Sequence, residues 1–233
     1  MEYVEVARSE TERGELVLRE RRPGPDDARR GPAVLELRAN GVFVMDTSEH
    51  ASERALAEAA LDAVAEPRRV LVGGLGLGFT LDRVLGDRRV EHVDVVEIEP
   101  ALVDWMRDGT IPHGRRLLAD DRARVVVADL VRAVTEAGPA TYDVVLLDVD
   151  NGPAHLVHTA NSAIYTEPFL QAVLGRLTPA GALVVWSADR APQLAEMLRA
   201  VFDEVEEHDH AVRLQDRDEH YWLYAARRVA SGA

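Results

Sequence analysis

A cluster of polar residues follows an apolar segment in the second half of the chain. Val144–Leu147 predicts a buried strand, and Asp148, Asp150 and Asn151 come directly after it. Two carboxylates in this place could hold an ammonium ion and take a proton from it, which turns the amine nitrogen into a nucleophile. They could equally bind a metal ion, or form only the polar loop that leaves the strand.

A glycine-rich turn lies earlier in the chain, between a predicted strand and a predicted helix. The sequence GGLGLGF places glycines at Gly73, Gly74, Gly76 and Gly78. Glycines let the backbone turn tightly and approach a ligand without a side chain in the way. The start of the next helix offers free N–H groups to polar ligand atoms. The turn therefore predicts a nucleotide-type site, although packing of the strand against the helix would also account for it.

Acidic residues end the next two predicted strands. Glu97 can accept hydrogen bonds from both hydroxyls of an adenosine ribose. Glu99 competes for this role, but Glu99-Pro100 is typical of a helix start and is assigned to capping. Asp129 could accept from an adenine amino group, cap the following helix, or do both. The spacing G-G-x-G-x-G, with polar groups ending three strands, favours an S-adenosylmethionine-type nucleoside over a dinucleotide.

An alternation of strands and helices from Val70 onward must position these residues. Near-continuous Val/Leu strands separated by helices indicate an α/β fold with a doubly wound, mostly parallel, seven-stranded sheet of Rossmann-like type. The last two strands are predicted to pair antiparallel at one edge. Predicted strands are Val70–Val72, Val93–Ile98, Arg124–Ala128, Asp143–Leu147, Ala182–Ser187, Glu204–Glu207 and Tyr221–Ala226; predicted helices are 78–86, 100–107, 129–137, 162–177 and 190–202.

The residues before this alternation are rich in β patterns. A hairpin is predicted to turn at Asn40-Gly41, and a helix over 48–66 is predicted to start at a Ser48 cap and to be closed by Pro67. The predicted organisation is an N-terminal β-hairpin element over 1–47, a nucleoside-binding catalytic domain over 48–227, and a frayed tail over 228–233.

Two absent residue types narrow the chemistry of this chain. It contains no cysteine, which excludes thiolate metal sites and cysteine nucleophiles. All 27 basic residues are arginine, which excludes a Schiff-base lysine and a Walker A lysine. The net charge of −14 disfavours nucleic acid and anionic membranes and favours cationic ligands. No apolar run is long enough to span a bilayer and the N-terminus lacks signal-peptide features, so a cytoplasmic protein is expected.

Four segments, in order along the chain, carry a family likeness. VLVGGLGLGFTLDRV, VEIEPALV, VVVADLVRAV and YDVVLLDVDNGP together resemble the spermidine synthase (aminopropyltransferase) family, within the class I S-adenosylmethionine-dependent methyltransferase superfamily. The likeness covers most of residues 35–187. The glycine turn and Glu97 are shared with methyltransferases and specify the fold more than the reaction, whereas the segment from Tyr142 is more discriminating.

The resemblance implies a role for each matching residue. The four glycines would line the nucleoside site, Glu97 would bind ribose and Asp129 would face the adenine. Asp148 matches the family's catalytic aspartate, which helps to deprotonate the amine that attacks decarboxylated S-adenosylmethionine. The resemblance gives no role to Asp150, which is expected from its position alone either to assist Asp148 or to form an Asx-type loop with Asn151-Gly152. The family commonly forms dimers or tetramers, so a homodimer is the corresponding expectation.

The chain departs from the family pattern at the residues that bind the amine substrate in that family. The usual D-S-x-D-P-x-G-P is shortened to Asp148–Pro153, and Val44 stands where the family has a glutamine. The tyrosine-glutamate pair of the next helix is replaced by ASERA, which leaves only Glu53. The residues of the nucleoside half therefore match the family, while the identity of the acceptor substrate is not predicted.

The predicted function is a spermidine-synthase-like transfer in which a small cationic amine, or another small acceptor, attacks decarboxylated S-adenosylmethionine with Asp148 as base or orienter. The alternatives are an S-adenosylmethionine-dependent methyltransferase and a non-catalytic nucleoside-binding homologue. No metal is expected, because WSADRAP lacks the Asp-Asn pair that catechol-type methyltransferases place after the next strand. His155 and His158 are interpreted as surface residues, with a proton shuttle as the alternative for one of them, and Tyr165 is a candidate wall of the acceptor pocket.

Overall fold

The N-terminal residues form an antiparallel sheet. In the computed structural model, which describes residues 2–22, 33–153, 156, 158–214 and 217–228, the predicted hairpin at Asn40-Gly41 is confirmed: Ala39 pairs with Val42, and the two turn residues have φ of 52° and 76°. The Pro/Gly-rich segment 23–32 and most of the predicted tail lie outside the described residues. The strands pair in the order β1 (Glu2–Thr11), β2 (Gly14–Arg22), β3 (Val34–Ala39) and β4 (Val42–Asp46).

A seven-stranded sheet forms the body of the protein, in the order β10-β11-β9-β8-β5-β6-β7. The five strands from β9 to β7 are parallel, and β10 and β11 form the predicted antiparallel pair at one edge. The expected doubly wound, mostly parallel sheet is therefore confirmed. The strands are β5 (Arg69–Gly73), β6 (His92–Glu97), β7 (Ala123–Val127), β8 (Tyr142–Leu147), β9 (Leu177–Ser187), β10 (Glu204–Leu214) and β11 (Arg217–Arg227).

The strand order reverses between β5 and β8, and a ligand-binding crevice is expected at this reversal. β5 pairs with β6 on one side and with β8 on the other. The ends of β5 and β8 are held together because the Asp148 N–H donates to the Gly73 carbonyl at 2.9 Å. Ligands of open α/β sheets bind in the crevice that such a reversal leaves at the carboxyl ends of the strands.

The helices follow the predicted alternation with three differences. One is that the predicted helix over 162–177 is divided into a 3-10 helix, Thr159–Tyr165, and an α-helix, Glu167–Arg176. The helix over 48–66 is shorter than predicted, because the Ser48 N–H and hydroxyl both donate to Asp46, at 2.8 and 2.6 Å. This turn occupies Ser48, so the N-cap is His50 and the predicted Ser48 cap is wrong. A short helix, α4, was not predicted. The helices are α1 (Ala51–Asp62), α2 (Phe79–Leu85), α3 (Pro100–Asp108), α4 (Gly114–Leu118), α5 (Leu130–Glu136), α6 (Glu167–Arg176) and α7 (Pro192–Val201), with a 3-10 helix over Thr159–Tyr165.

No helix in the described ranges is long and apolar enough to cross a membrane.

Two apolar layers sandwich the central sheet. Along β8, Val144 and Leu146 face one layer, whereas Val145 and Leu147 face the other, as the period of two in a strand requires. The first layer also contains Leu18 of the N-terminal sheet and α1 side chains. The two sheets therefore share one core, which fixes the N-terminal sheet in place beside the crevice.

A network of hydrogen bonds around the buried carboxylate of Asp94 ties three strands of the sheet together. Asp94 of β6 accepts hydrogen bonds from Arg124 of β7, at 2.6 and 3.0 Å, and from the Tyr142 hydroxyl of β8, at 2.8 Å. Burial alone would raise the pKa of Asp94, but the bonds from Arg124 and Tyr142 hold that pKa below its ordinary value. The stabilisation is therefore present at neutral pH and is lost as the pH falls through the lowered pKa of the folded state.

We predict that Asp94→Asn lowers the free energy of unfolding at pH 7 by about 1–3 kcal/mol, because the charged acceptor of this network is lost. Tyr142→Phe, which removes one bond only, should cost about 1 kcal/mol. Urea denaturation at pH 7, compared with a pH below the lowered pKa of Asp94, checks both values. Equal stability of Asp94→Asn and wild type at pH 7 would contradict the role given to the network.

Candidate active site

The glycine turn after β5 packs against the end of β8. Gly74 and Gly76 border a cavity at the strand ends, and both have positive φ, 93° and 48°. A Cβ on Gly74 would lie 2.1 Å from the Asp148 carbonyl oxygen, so only glycine fits there. Gly73 and Gly78 instead approach apolar side chains of Leu130 and of α3 and α4, and their predicted nucleoside contact stays a prediction.

The strand-end cavity has a volume of about 150 Å³ and lies at the carboxyl ends of β5, β6 and β8. Polar and charged side chains border it on several sides, including Arg13, Glu97, Asp129, Asp148 and Asp150. The structure thus brings together at one edge of the sheet the acidic residues predicted from three different strands.

Glu97 is fixed by the backbone around it. It is 6% exposed, and its carboxylate accepts from the Leu75 N–H at 2.9 Å and from the Glu99 N–H at 2.7 Å. Burial raises its pKa, and these two backbone N–H groups oppose that rise. Each oxygen keeps a further lone pair, so the carboxylate can still accept from ligand hydroxyls.

Glu99 stands at the N-cap of α3, but its side chain makes no capping hydrogen bond. The predicted helix start at Glu99-Pro100 is confirmed, and the Glu99 carboxylate accepts from Arg13 Nε at 2.9 Å. Arg13 lies in the turn between β1 and β2, and sequence reasoning missed it because its partner is 86 positions away. The arginine brings a positive charge from the N-terminal sheet to the rim of the strand-end cavity.

Asp129 caps α5 and also borders the strand-end cavity. Its carboxylate accepts from the Arg132 N–H at 3.0 Å, as expected of an N-cap residue. The residue is exposed, which leaves its second oxygen accessible to a ligand. The capping interpretation is confirmed, and contact with an adenine stays a prediction.

A second cavity, the acidic cavity, adjoins the first and has a volume of about 320 Å³. Its walls include six acidic side chains and three aromatic ones, and no described residue that lines it is arginine, lysine or histidine. The acidic residues are Asp46, Glu49, Glu53, Asp148, Asp150 and Asp189, and the aromatic residues are Phe43, Trp186 and Tyr221. The cavity is suited to a cationic ligand with an apolar body.

Asp148 borders both cavities. Its carboxylate accepts from the Thr80 hydroxyl at 2.6 Å, and Thr80 lies in the first turn of α2. Burial raises the pKa of Asp148 and the Thr80 bond opposes the rise. A carboxyl with a raised pKa is a better proton acceptor than an exposed aspartate.

Asp150 organises the loop after β8. It has φ of 65°, and its carboxylate accepts from the Asn151 N–H, the His158 N–H and the Asn161 side-chain amide at 2.8, 3.3 and 2.8 Å. These bonds support the loop-forming interpretation, while the position of Asp150 on both cavities keeps it close to Asp148.

Other candidates from the sequence fall in different places. The Tyr165 hydroxyl donates to the Val149 carbonyl at 2.8 Å and supports the loop from beneath, whereas Trp186 and Tyr221, 4.9 Å apart, wall the acidic cavity. His158 borders the strand-end cavity, and His155 lies outside the described residues. Within the described ranges, no group of three or more His, Asp or Glu side chains is placed to hold a metal ion.

Three buried side-chain nitrogens have no hydrogen-bond partner in the described part of the chain: one of the Arg13 guanidinium, Nδ1 of His50 and the indole nitrogen of Trp186. Buried polar groups are almost always paired. Arg13 belongs to the wall of the strand-end cavity and Trp186 to the wall of the acidic cavity, whereas His50 lines neither.

Comparison with known families matches this geometry. The sequence profile described as spermine/spermidine synthase domain matches residues 49–204, which is more than half of the chain. The chain belongs to this family. The match includes Glu97, Asp129 and Asp148, whereas Arg13 lies outside it.

Relatives from two enzyme classes share parts of the chain. Polyamine aminopropyltransferase 2 of Pseudomonas aeruginosa is 33% identical over 171 residues, covering 69% of this chain and 47% of that protein. Putrescine N-methyltransferase 3 of Nicotiana tabacum is 32% identical over 123 residues, covering 52% of this chain and 30% of that protein. The chain thus spans about half, or less, of the length of these relatives.

A solved spermidine synthase in complex with the transition-state analogue AdoDATO matches 97% of this chain and 74% of its own, with a TM-score of 0.81 and 17% identity. At this identity the likeness supports the fold, including the small N-terminal sheet.

We predict that Gly74→Ala lowers the free energy of unfolding by at least about 2 kcal/mol, because it forces a Cβ into the Asp148 carbonyl at positive φ. Gly175→Ala in α6 is the matched control. Its Cβ meets nothing within 4 Å, so it should be neutral or stabilise by up to about 1 kcal/mol. Urea denaturation of both variants measures the difference. A Gly74→Ala variant as stable as wild type would contradict the close packing of the two strand ends.

Proposed function

We propose that the protein transfers the aminopropyl group of decarboxylated S-adenosylmethionine to a small cationic amine. The nucleoside occupies the strand-end cavity, with its ribose hydroxyls on Glu97 and its adenine near Asp129. The amine occupies the acidic cavity. The position of Asp148 on both cavities carries this proposal, because a group at that junction meets the nucleophile and the sulfonium together.

The chemistry follows from charge. An ammonium group is not a nucleophile until it loses a proton, and a carboxylate beside it can hold the cation and accept that proton. The freed lone pair forms the new C–N bond with the carbon next to sulfur. The C–S bond breaks and its electron pair stays on sulfur, which leaves neutral methylthioadenosine. No covalent enzyme intermediate is needed, in keeping with a chain that has neither cysteine nor lysine.

The acidic cavity supports a cationic acceptor in particular. Its carboxylates attract both the amine and the sulfonium, and the net charge of −14 adds a long-range field of the same sign. Aromatic walls from Trp186 and Tyr221 suit the methylene chain of a polyamine. Membership of the spermine/spermidine synthase family supports the same assignment.

We further propose that the N-terminal sheet acts with the catalytic unit rather than apart from it. Arg13 and Leu16 border the strand-end cavity, and Phe43 and Val44 border the acidic cavity. Residues 1–47 would then cover the site that residues 48–227 build.

Methyl transfer is the second candidate. Sequence identity to a putrescine N-methyltransferase supports it, since an enzyme of that name acts on the same kind of amine. The two cavities would play the same parts. The reactions differ in whether the methyl group or the aminopropyl group of the sulfonium faces the amine beside Asp148.

Titration calorimetry and product analysis separate these candidates. The chain is titrated with S-adenosylmethionine, its decarboxylated form and methylthioadenosine, each with and without putrescine, and products are identified by mass spectrometry. We expect tighter binding of the decarboxylated form and an aminopropylated amine. Preference for S-adenosylmethionine with a methylated product would establish the second candidate, and nucleoside binding without any product would point to a non-catalytic protein.

We predict that Asp148→Asn lowers kcat by at least about 100-fold, because a general base contributes 10²–10⁴. The affinity for methylthioadenosine should stay within about threefold, since asparagine keeps the size of the side chain and can still accept from Thr80. Asp104→Asn, an equal charge change at an exposed position of α3, is the control. Parallel loss of turnover and nucleoside affinity in Asp148→Asn would make Asp148 a binding or folding residue instead.

A further inference from the structure

Arg13 reaches the strand-end cavity from the turn between β1 and β2. It lies outside residues 49–204, which match the family profile, so the comparison with the family assigns it no role. We propose, on the basis of the proposed nucleoside site, that the Arg13 guanidinium donates a hydrogen bond to an acceptor atom of the bound adenosine group. Arg13 is then a binding residue that the N-terminal sheet adds to a site built mainly by the parallel sheet.

The backbone of Arg13 is held by the neighbouring turn of the same sheet. Its carbonyl accepts from the Asn40 side-chain amide at 3.3 Å, and the Asn40 side-chain oxygen accepts from the Glu15 N–H at 2.9 Å. The Arg13 N–H donates to the Thr11 hydroxyl at 3.2 Å. These bonds tie the β1–β2 turn to the β3–β4 turn, so the place of Arg13 beside the cavity is set before a ligand binds.

The side chain of Arg13 is held at one nitrogen and has a donor left at another. Nε donates to the Glu99 carboxylate at 2.9 Å, and the two side chains are only 25% and 12% exposed. Nη2 is buried and has no hydrogen-bond partner in the part of the chain that the structure describes. Because a guanidinium presents several N–H donors in one rigid plane, the bond to Glu99 orients the plane while Nη2 still offers its hydrogens.

The strand-end cavity offers carboxylates to the donors of a nucleoside and needs a donor for its acceptors. Ionised carboxylates only accept hydrogen bonds, so Glu97 and Asp129 can take the ribose hydroxyls and the adenine amino group. The adenine ring nitrogens and the ribose oxygens require a donor in return. Among the described residues that line this cavity, Arg13 is the one arginine. This need for a donor distinguishes Arg13 from His50, whose unpartnered nitrogen borders neither cavity.

The position of Arg13 fits a nucleoside bound between the two sheets. Its partner Glu99 lies two residues after Glu97, the proposed ribose ligand. Burial lowers the pKa of His158, and the positive charge of Arg13 lowers it further, so the guanidinium also lies near the loop after β8. Leu16 borders the cavity beside Arg13 and offers an apolar surface to a base. Arg13 therefore lies where it can reach the ribose or the base.

Arg13→Met tests the role in the full chain, through titration calorimetry with methylthioadenosine. This ligand is uncharged, so its affinity does not depend on long-range attraction between charges. Methionine keeps an unbranched apolar stem and has no donor. We expect Kd to rise about 10- to 100-fold, as for the loss of a hydrogen bond from a charged donor. Arg8→Met, at an exposed arginine of β1 that pairs with Glu5, is the control and should leave Kd unchanged.

Two further variants separate a bond to the ligand from the ion pair with Glu99. Arg13→Lys keeps a charge that can pair with Glu99 but lacks the planar fork that serves two partners, so it should weaken binding nearly as much as Arg13→Met. This variant also serves if Arg13→Met does not fold, which urea denaturation shows. Glu99→Gln keeps the guanidinium and an oxygen that accepts from Nε, so Kd should rise less than about threefold.

Analogues of methylthioadenosine identify the acceptor atom. Each analogue lacks one acceptor, through carbon in place of one adenine ring nitrogen, loss of one ribose hydroxyl, or a carbocyclic ribose. We expect the affinity loss caused by one of these analogues to be at least about fivefold smaller in the Arg13 variant than in wild type, because the deleted atom and the deleted side chain are partners.

The outcomes separate this role from the proposed function. Unchanged Kd in the Arg13 variants, an equal rise in Glu99→Gln, or the same analogue losses in wild type and variant overturns the role of Arg13 and leaves the transferase intact. A wild-type chain that does not bind methylthioadenosine overturns the proposed function, and the role of Arg13 with it. A wild-type chain that methylates the amine overturns aminopropyl transfer alone, because both sulfonium donors carry adenosine.

Discussion

The contact between two backbones at the ends of β5 and β8 is the constraint on which the site depends. The Asp148 N–H bonds to the Gly73 carbonyl, and Gly74 lies so close to the Asp148 carbonyl that no Cβ fits between them. This contact places the glycine turn beside Asp148, which borders both cavities. A larger residue at Gly74 would push against the Asp148 backbone.

The N-terminal sheet contributes residues to the walls of both cavities beside the parallel sheet. Its leucines lie in the same apolar layer as α1 and β8, so its turns are held over the crevice. Arg13 reaches Glu99 from one turn, and Met45 of β4 accepts from the Leu77 N–H at 3.2 Å near the glycine turn. A sheet that shares its core with the parallel sheet can position side chains at the crevice, which a tethered appendage could not do.

Most of the fold was predictable, because strand and helix periodicity and the glycine turn are local signals. The positions of Glu97, Asp129 and Asp148 at one sheet edge follow from parallel strands ending together. Contacts between distant segments were not predictable, since neither the Arg13–Glu99 ion pair nor the place of Glu53 and Asp148 on one cavity wall follows from local sequence patterns. Ser48 was misread because Asp46 competes for its hydroxyl, a choice that tertiary position decides.

The central claim is that Asp148 serves a nucleoside on one side and an amine on the other. A crystal structure of the chain with methylthioadenosine and putrescine tests this most directly, through the distance from the nearer amine nitrogen to the Asp148 carboxylate. The account predicts a distance within hydrogen-bond reach, about 2.6–3.2 Å, with the ribose hydroxyls on Glu97. Putrescine bound away from the acidic cavity, or methylthioadenosine outside the strand-end cavity, would contradict it.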